Sequence, residues 1–216
     1  MDFISNILQE LLNLLFNFTG DFGIAIVIVT LSVKIILMPF SIKQKLSMKK
    51  QQDLATKIDL IKDKYKDSPK ELEEHLQKHS LESMKSMLGC STIILQMPII
   101  YALYNTFSNM KYTSSSIILP WISNLSVSDN LFIIPCIYAI TMLAPNFINS
   151  IPYFKANTQV KFNKQIAVST VIMSFLFTAK TPVAIGLYFI TSSIYSLIED
   201  ICFRIYIKQN TNPIQS

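Results

Sequence analysis

A single lysine, Lys34, interrupts the 19-residue apolar run FGIAIVIVTLSVKIILMPF from Phe22 to Phe40. An ammonium in such a run costs about 2.5–3.5 kcal/mol on insertion scales. It is kept where it lines a polar cavity, meets an anion or reaches headgroups. Thr30, four residues earlier, lies on the same helical face, so the pair forms a polar stripe. Six residues separate Lys34 from Phe40, placing its Cα roughly 9 Å from that end of the run. A lysine stem spans most of that distance, so snorkelling competes with a functional cation; the Thr30 stripe favours the latter. Gln96, Tyr104, Asn105 and Tyr188 are the other candidates in apolar surroundings. Together with Lys34 and Thr30 they compose a polar groove inside a helical bundle. Such a groove lowers the cost of bringing a polar or acidic segment into a bilayer. Gln96 alone is equally explained by a bond to a neighbouring helix.

No catalytic constellation accompanies these residues. There is no paired intramembrane carboxylate, no Ser-His-Asp set and no glycine-rich phosphate loop in a chain with 4 glycines. The expectation is a protein that is not an enzyme and carries no cofactor. His75 and His79 stand at i, i+4 near Glu71 and Glu74, but no third ligand is evident, and no metal is expected. Cys90, Cys136 and Cys202 fall in or beside apolar runs, as small hydrophobes do. Glu199 and Asp200, near the end of the last apolar run, suit headgroup anchors.

The elements that position the groove follow from hydropathy. The 216 residues are 50% hydrophobic, with a mean hydropathy of +0.38. The fold class is all-α, a polytopic membrane protein with five transmembrane helices, an N-terminal interfacial helix and a cytoplasmic helical hairpin. The spans are placed at 22–40, 88–110, 131–151, 163–179 and 182–203. Residues 2–18 carry a narrow polar face on a wide apolar one, fitting a helix lying on the membrane. Asp2 and the lack of a small-residue cleavage site argue against a signal peptide. The distance to Cys90 argues against an N-terminal lipoprotein anchor. Gly20 to Gly23 make the corner into the first span.

Residues 41–87 hold 11 lysines and 8 acidic residues, too polar to cross a bilayer. Ser68-Pro69 marks a helix start, giving a hairpin of two arms, 41–66 and 69–87. Its near balance of charge makes nucleic acid a poor partner. Residues 1–21 contain no Lys or Arg, 111–130 only Lys111 and the loop near 180 only Lys180, whereas Lys155, Lys161 and Lys164 lie in the 152–164 loop and Arg204 and Lys208 in the tail. The positive-inside rule then puts the N-terminus outside and the hairpin and C-terminus in the cytoplasm. The main body runs over 1–210, with 211–216 as a tail.

These stretches carry a resemblance. GIAIVIVTLSVKIILMPFSIKQKLSMKKQQ at 23–52, GCSTIILQMPIIYALYNTF at 89–107 and LPWISNLSVSDNLFIIPCIYAITM at 119–142 resemble the YidC/Oxa/Alb family of membrane protein insertases. TPVAIGLYFITSSIYSLIEDI at 181–201 matches more loosely. The resemblance covers nearly the full length and implies a short form without a signal peptide. It implies a five-helix bundle with a hydrophilic groove open to the cytoplasm and to lipid and closed on the outside. It further implies insertion and folding of nascent membrane proteins in the bacterial cytoplasmic membrane, alone or with the Sec translocon, with the ribosome and signal recognition pathway upstream. The family's groove arginine falls on Lys34, its polar partner on Thr30, and its second-span glutamine on Gln96. The aromatic positions of the last span fall on Tyr188 and Phe189.

Lys34 keeps the family's charge without the planar donor fork. Asn-Pro is absent before Gly89, and Phe189 and Ser193 stand where Trp and Asn are common. The alternative from another class is a small transporter or channel for an anionic solute. That would call for several buried ionisable residues along a path, and one is found. A structural assembly factor for one membrane complex is not separable from an insertase by sequence.

Overall fold

The computed structural model describes residues 2–64, 97, 99–105, 116–150 and 164–211. Those residues form five helices, α1 (Asp2–Thr19), α2 (Phe22–Lys64), α3 (Ile133–Ser150), α4 (Lys164–Ala179) and α5 (Val183–Thr211), plus a helical stretch at 99–105. The chain divides into two compact units, one of Met1–Ile36, Gln96–Lys155 and Phe162–Ser216, the other of Leu37–Leu95 and Ala156–Lys161. In the second, the described residues are the distal part of α2. Gln96, the second hairpin arm, His75, His79 and much of the expected 88–110 span lie outside the described residues.

α1 gives way to α2 over two residues. Gly20 adopts a positive φ of 71° and its amide bonds the Phe16 carbonyl at 2.7 Å, the left-handed stop that glycine accepts most readily. Asp21 then caps α2, its Oδ1 accepting from the Ile24 amide at 2.8 Å. Phe16 and Phe22 stack across the corner with centroids 3.9 Å apart.

α2 continues for 43 residues, through Pro39 and past the expected boundary at Ser41. The change from apolar to lysine-rich composition there alters the surroundings, not the helix. Lys, Gln, Leu and Met are all good helix formers. α2 from Phe22 to Lys50 and α5 from Val183 to Gln209 are long and apolar enough to cross a membrane; Ile133–Pro145 and Ala167–Ala179 are shorter apolar helices.

The core of the first unit gathers at one end of the helices. Leu8 and Leu12 of α1, Ala25, Ile26 and Val29 of α2, Ala102 and Leu103, Ile134 of α3 and every residue of α5 from Val183 to Ile190 are buried in it. α3 packs on both α4 and α5. Gly186 lets α5 approach α3 closely, since a Cβ there would overlap the Ile134 side chain. Apolar side chains also face outward: Ile36 is 74% exposed and Met173 69%. Outward Val168, Ile172 and Leu176 follow helical spacing on α4. Outward apolar faces on long apolar helices belong to a helical membrane protein.

An irregular segment, residues 116–132 (the strap), closes the end where α2, α3 and α5 begin. Asp21, 2% exposed, accepts from Ser116 Oγ at 2.8 Å and from the Ile117 amide at 2.5 Å. The orphan amides of α5, Val183 and Ala184, donate to the carbonyls of Val127 and Leu125 at 2.9 and 3.0 Å. Asp129, also buried, accepts from the Leu131 and Ile134 amides and so caps α3. Three helix starts are thus tied to one loop. Gly23 makes room for it, because a Cβ there would overlap Ser116 Oγ and stand 2.8 Å from Ser116 Cβ.

Candidate functional site

The strap ties α2 and α5 at their N-terminal ends, so the two helices run in parallel. Twelve residues into α2, Lys34 Nζ donates to Ser196 Oγ at 3.4 Å. Ser196 lies a matching distance into α5. The contact is longer than the roughly 2.9–3.0 Å of a typical N–H···O bond. A hydroxyl at this range orients the Lys34 ammonium weakly. Lys34 and Ser196 are both half-buried, at the depth where the continuous burial of α5 gives way to partial exposure. The fully packed core therefore lies between this cation and the strap.

Thr30 sits one turn nearer the strap on the same face of α2. It is 2% exposed, and its hydroxyl donates to the Ile26 carbonyl at 2.6 Å. With its proton committed to its own helix, it offers only lone pairs to anything else. Tyr188 precedes Ser196 by two turns, about 12 Å along the axis. It is buried in the apolar core, its ring tilted against Phe189 at 5.5 Å. Tyr104 is 51% exposed and Asn105 is exposed, on the helical stretch at 99–105. Gln96 lies outside the described residues. Of the expected groove residues, Lys34 reaches across to another helix. Thr30 and Tyr188 line the same faces on the core side.

Two further polar residues stand out in the structure, Ser196 and Asp21. Ser196 follows Tyr188 and Ser192 at four-residue spacing on α5, and Ser192 is 4% exposed. Reading 188, 192 and 196 as one face would have found the ladder, which the contiguous Thr191-Ser192-Ser193 cluster hides. Asp21 lies within the Gly20–Gly23 corner, and an Asp directly before an apolar helical run is the sequence signal of a helix cap. Burial raises the Asp21 pKa. The hydrogen bonds from Ile117, Ile24, Ser116 and Gly23 outweigh it and hold the carboxyl below its ordinary 3.8. Farther along α5, Asp200 pairs with Arg204 at 2.7 Å, a local i, i+4 bridge that leaves Asp200 as a structural anchor.

The 60Kd inner membrane protein family model matches residues 14–211. "Membrane protein insertase YidC" of Campylobacter jejuni is 32% identical over 210 residues, 96% of this chain and 39% of that protein. The protein of the same name from Wolinella succinogenes is 32% identical over 200 residues, 92% of this chain and 36% of its own length. The one from Aquifex aeolicus is 30% identical over 187 residues, 86% and 36% respectively. The chain thus spans roughly two fifths of the length of the curated relatives it matches. None of these names lends support to the anion-transporter alternative. With the outward apolar faces of its helices and a family match covering both long spans, this bacterial membrane protein belongs to the 60Kd inner membrane protein family.

Proposed function

We propose that this chain is a membrane protein insertase and chaperone for nascent proteins of the bacterial cytoplasmic membrane. The observation that carries the reading is Lys34 turned toward Ser196 between two parallel apolar helices, with a packed core between it and the strap. In this reading five helices span the membrane, the strap end faces outward and the open end faces the cytoplasm. A hydrophobic segment with a short acidic outer tail enters from the cytoplasm. Lys34 compensates the tail's charge while Gln96, and acceptor lone pairs such as that of Thr30, satisfy its polar groups. The segment then moves sideways into lipid. Burial of its apolar surface, at about 25 cal/mol per Å², drives insertion; the groove lowers the barrier for the polar part. No nucleotide and no cofactor takes part. The Sec translocon, the ribosome and the signal recognition pathway are the partners this role would have.

The test is reconstitution of the purified protein into liposomes with a small single-span substrate bearing an acidic tail. Insertion above that of empty liposomes supports the proposal. Solute flux through the same vesicles without insertion would replace it with the transporter reading.

A further inference from the structure

The outward surface of the strap is mostly apolar. The exposed side chains of residues 116–132 are Ile117, Ile118, Trp121, Val127, Leu131 and Phe132, with Pro120 and the two polar residues Ser123 and Asn130; Ile117 is 79% and Leu131 64% exposed. The segment's one charged residue, Asp129, is buried and committed to the Leu131 and Ile134 amides. A water-facing loop ordinarily exposes polar side chains and leaves its amides to solvent. Here the amides of five of these six outward apolar residues are bonded within the protein. Ile117 donates to Asp21, Ile118 to Ser116 Oγ, Val127 to the Asn124 carbonyl, Leu131 to Asp129 Oδ1 and Phe132 to the Asp129 carbonyl.

Irregular backbone is excluded from lipid because unsatisfied N–H and C=O groups cost several kcal/mol each there. The amides at five of these six outward positions meet that condition. It also adjoins the starts of both long spans through Asp21 and through Val183 and Ala184, which places it beside the bilayer. Phe18 of α1, 88% exposed and three residues before Asp21, continues the apolar surface.

We infer that the strap is a lipid-binding surface, seated in the bilayer at the level of the glycerol backbone and upper acyl chains. Its hydrogen-bonded backbone seals that end of the bundle from within the membrane. Membrane lipid, not a protein, is the occupant of its outward face.

Trp121 is the only tryptophan in the chain and sits on this face, 38% exposed, so it serves as a native depth probe. The intact protein is reconstituted alone into phosphatidylcholine–phosphatidylglycerol liposomes containing lipids brominated at graded depths. Iodide is the aqueous quencher. Two further single-tryptophan proteins, Trp121→Phe with Ile117→Trp and Trp121→Phe with Leu131→Trp, sample the rest of the strap. All three positions are expected to be quenched at least two-fold by shallow-brominated lipid and to be shielded from iodide. Quenching by iodide with no response to brominated lipid would overturn the inference and leave a protein partner as what covers the strap. The readout needs no insertion activity, so it stands or falls separately from the proposed function.

Discussion

Replacing Asp21 by alanine removes the carboxylate that joins the strap to the start of α2. The cap on α2 is worth about 1 kcal/mol. The Ile117 amide, 2.5 Å from Asp21 Oδ2, is left without its acceptor beside a buried site, at about 1–3 kcal/mol. The Ser116 hydroxyl is free to turn toward another acceptor and adds little. The loss is therefore about 2–4 kcal/mol, concentrated at the strap. At about 1.4 kcal/mol per factor of ten, amide hydrogen exchange at 117–119 should accelerate by about 30- to 700-fold in lipid nanodiscs. Exchange within α4, which shares no bond with Asp21, should hardly change. Asp21→Asn should fall between wild type and alanine, because one oxygen remains where two served four donors. Unchanged exchange at 117–119, or acceleration spread equally into α4, would refute the clasp.

The remaining predictions concern acid, packing and the cation's partner. The folded pKa of Asp21 lies below 3.8, so its share of stability is fully present above about pH 4 and is lost as the pH falls through the depressed value. Acid titration of strap exchange should show this loss in wild type and not in Asp21→Ala. Gly23→Ala forces a Cβ against Ser116 and should cost about 1–3 kcal/mol, again as faster exchange at the strap. Ser196→Ala removes a long bond to Lys34, worth about 1 kcal/mol. It should slow insertion of acidic-tailed substrates about five-fold while sparing neutral ones, with Ser196→Thr restoring the rate.

Lys34 and Thr30 were legible in the sequence because a lone charge in an apolar run is conspicuous and helical spacing assigns its neighbours. Ser196 was not, since its meaning depends on the parallel register of α2 and α5, across 162 residues of sequence. A serine in an apolar helix carries no such mark. Tyr188 drew notice for its polar tip, yet the ring's bulk placed it in the core. The apolar runs at 22–40, 163–179 and 182–203 overlap α2, α4 and α5. Their ends shifted where capping decides them: α3 begins at Ile133 after the Asp129 cap rather than at Leu131, and α5 runs on to Thr211 through the Asp200–Arg204 turn. The strap stayed hidden because its order comes from long-range bonds to Asp21 and α5, which no local pattern announces.

The most direct test of the proposed role compares wild type, Lys34→Ala and Lys34→Arg at equal protein levels in liposomes. The substrates are two single-span proteins differing only in an acidic or a neutral outer tail. Lys34→Ala should lose most insertion of the acidic-tailed protein, Lys34→Arg should keep it, and the neutral tail should insert alike in all three. Equal insertion of both tails by Lys34→Ala would contradict the proposed role and make Lys34 an anchor at the membrane surface.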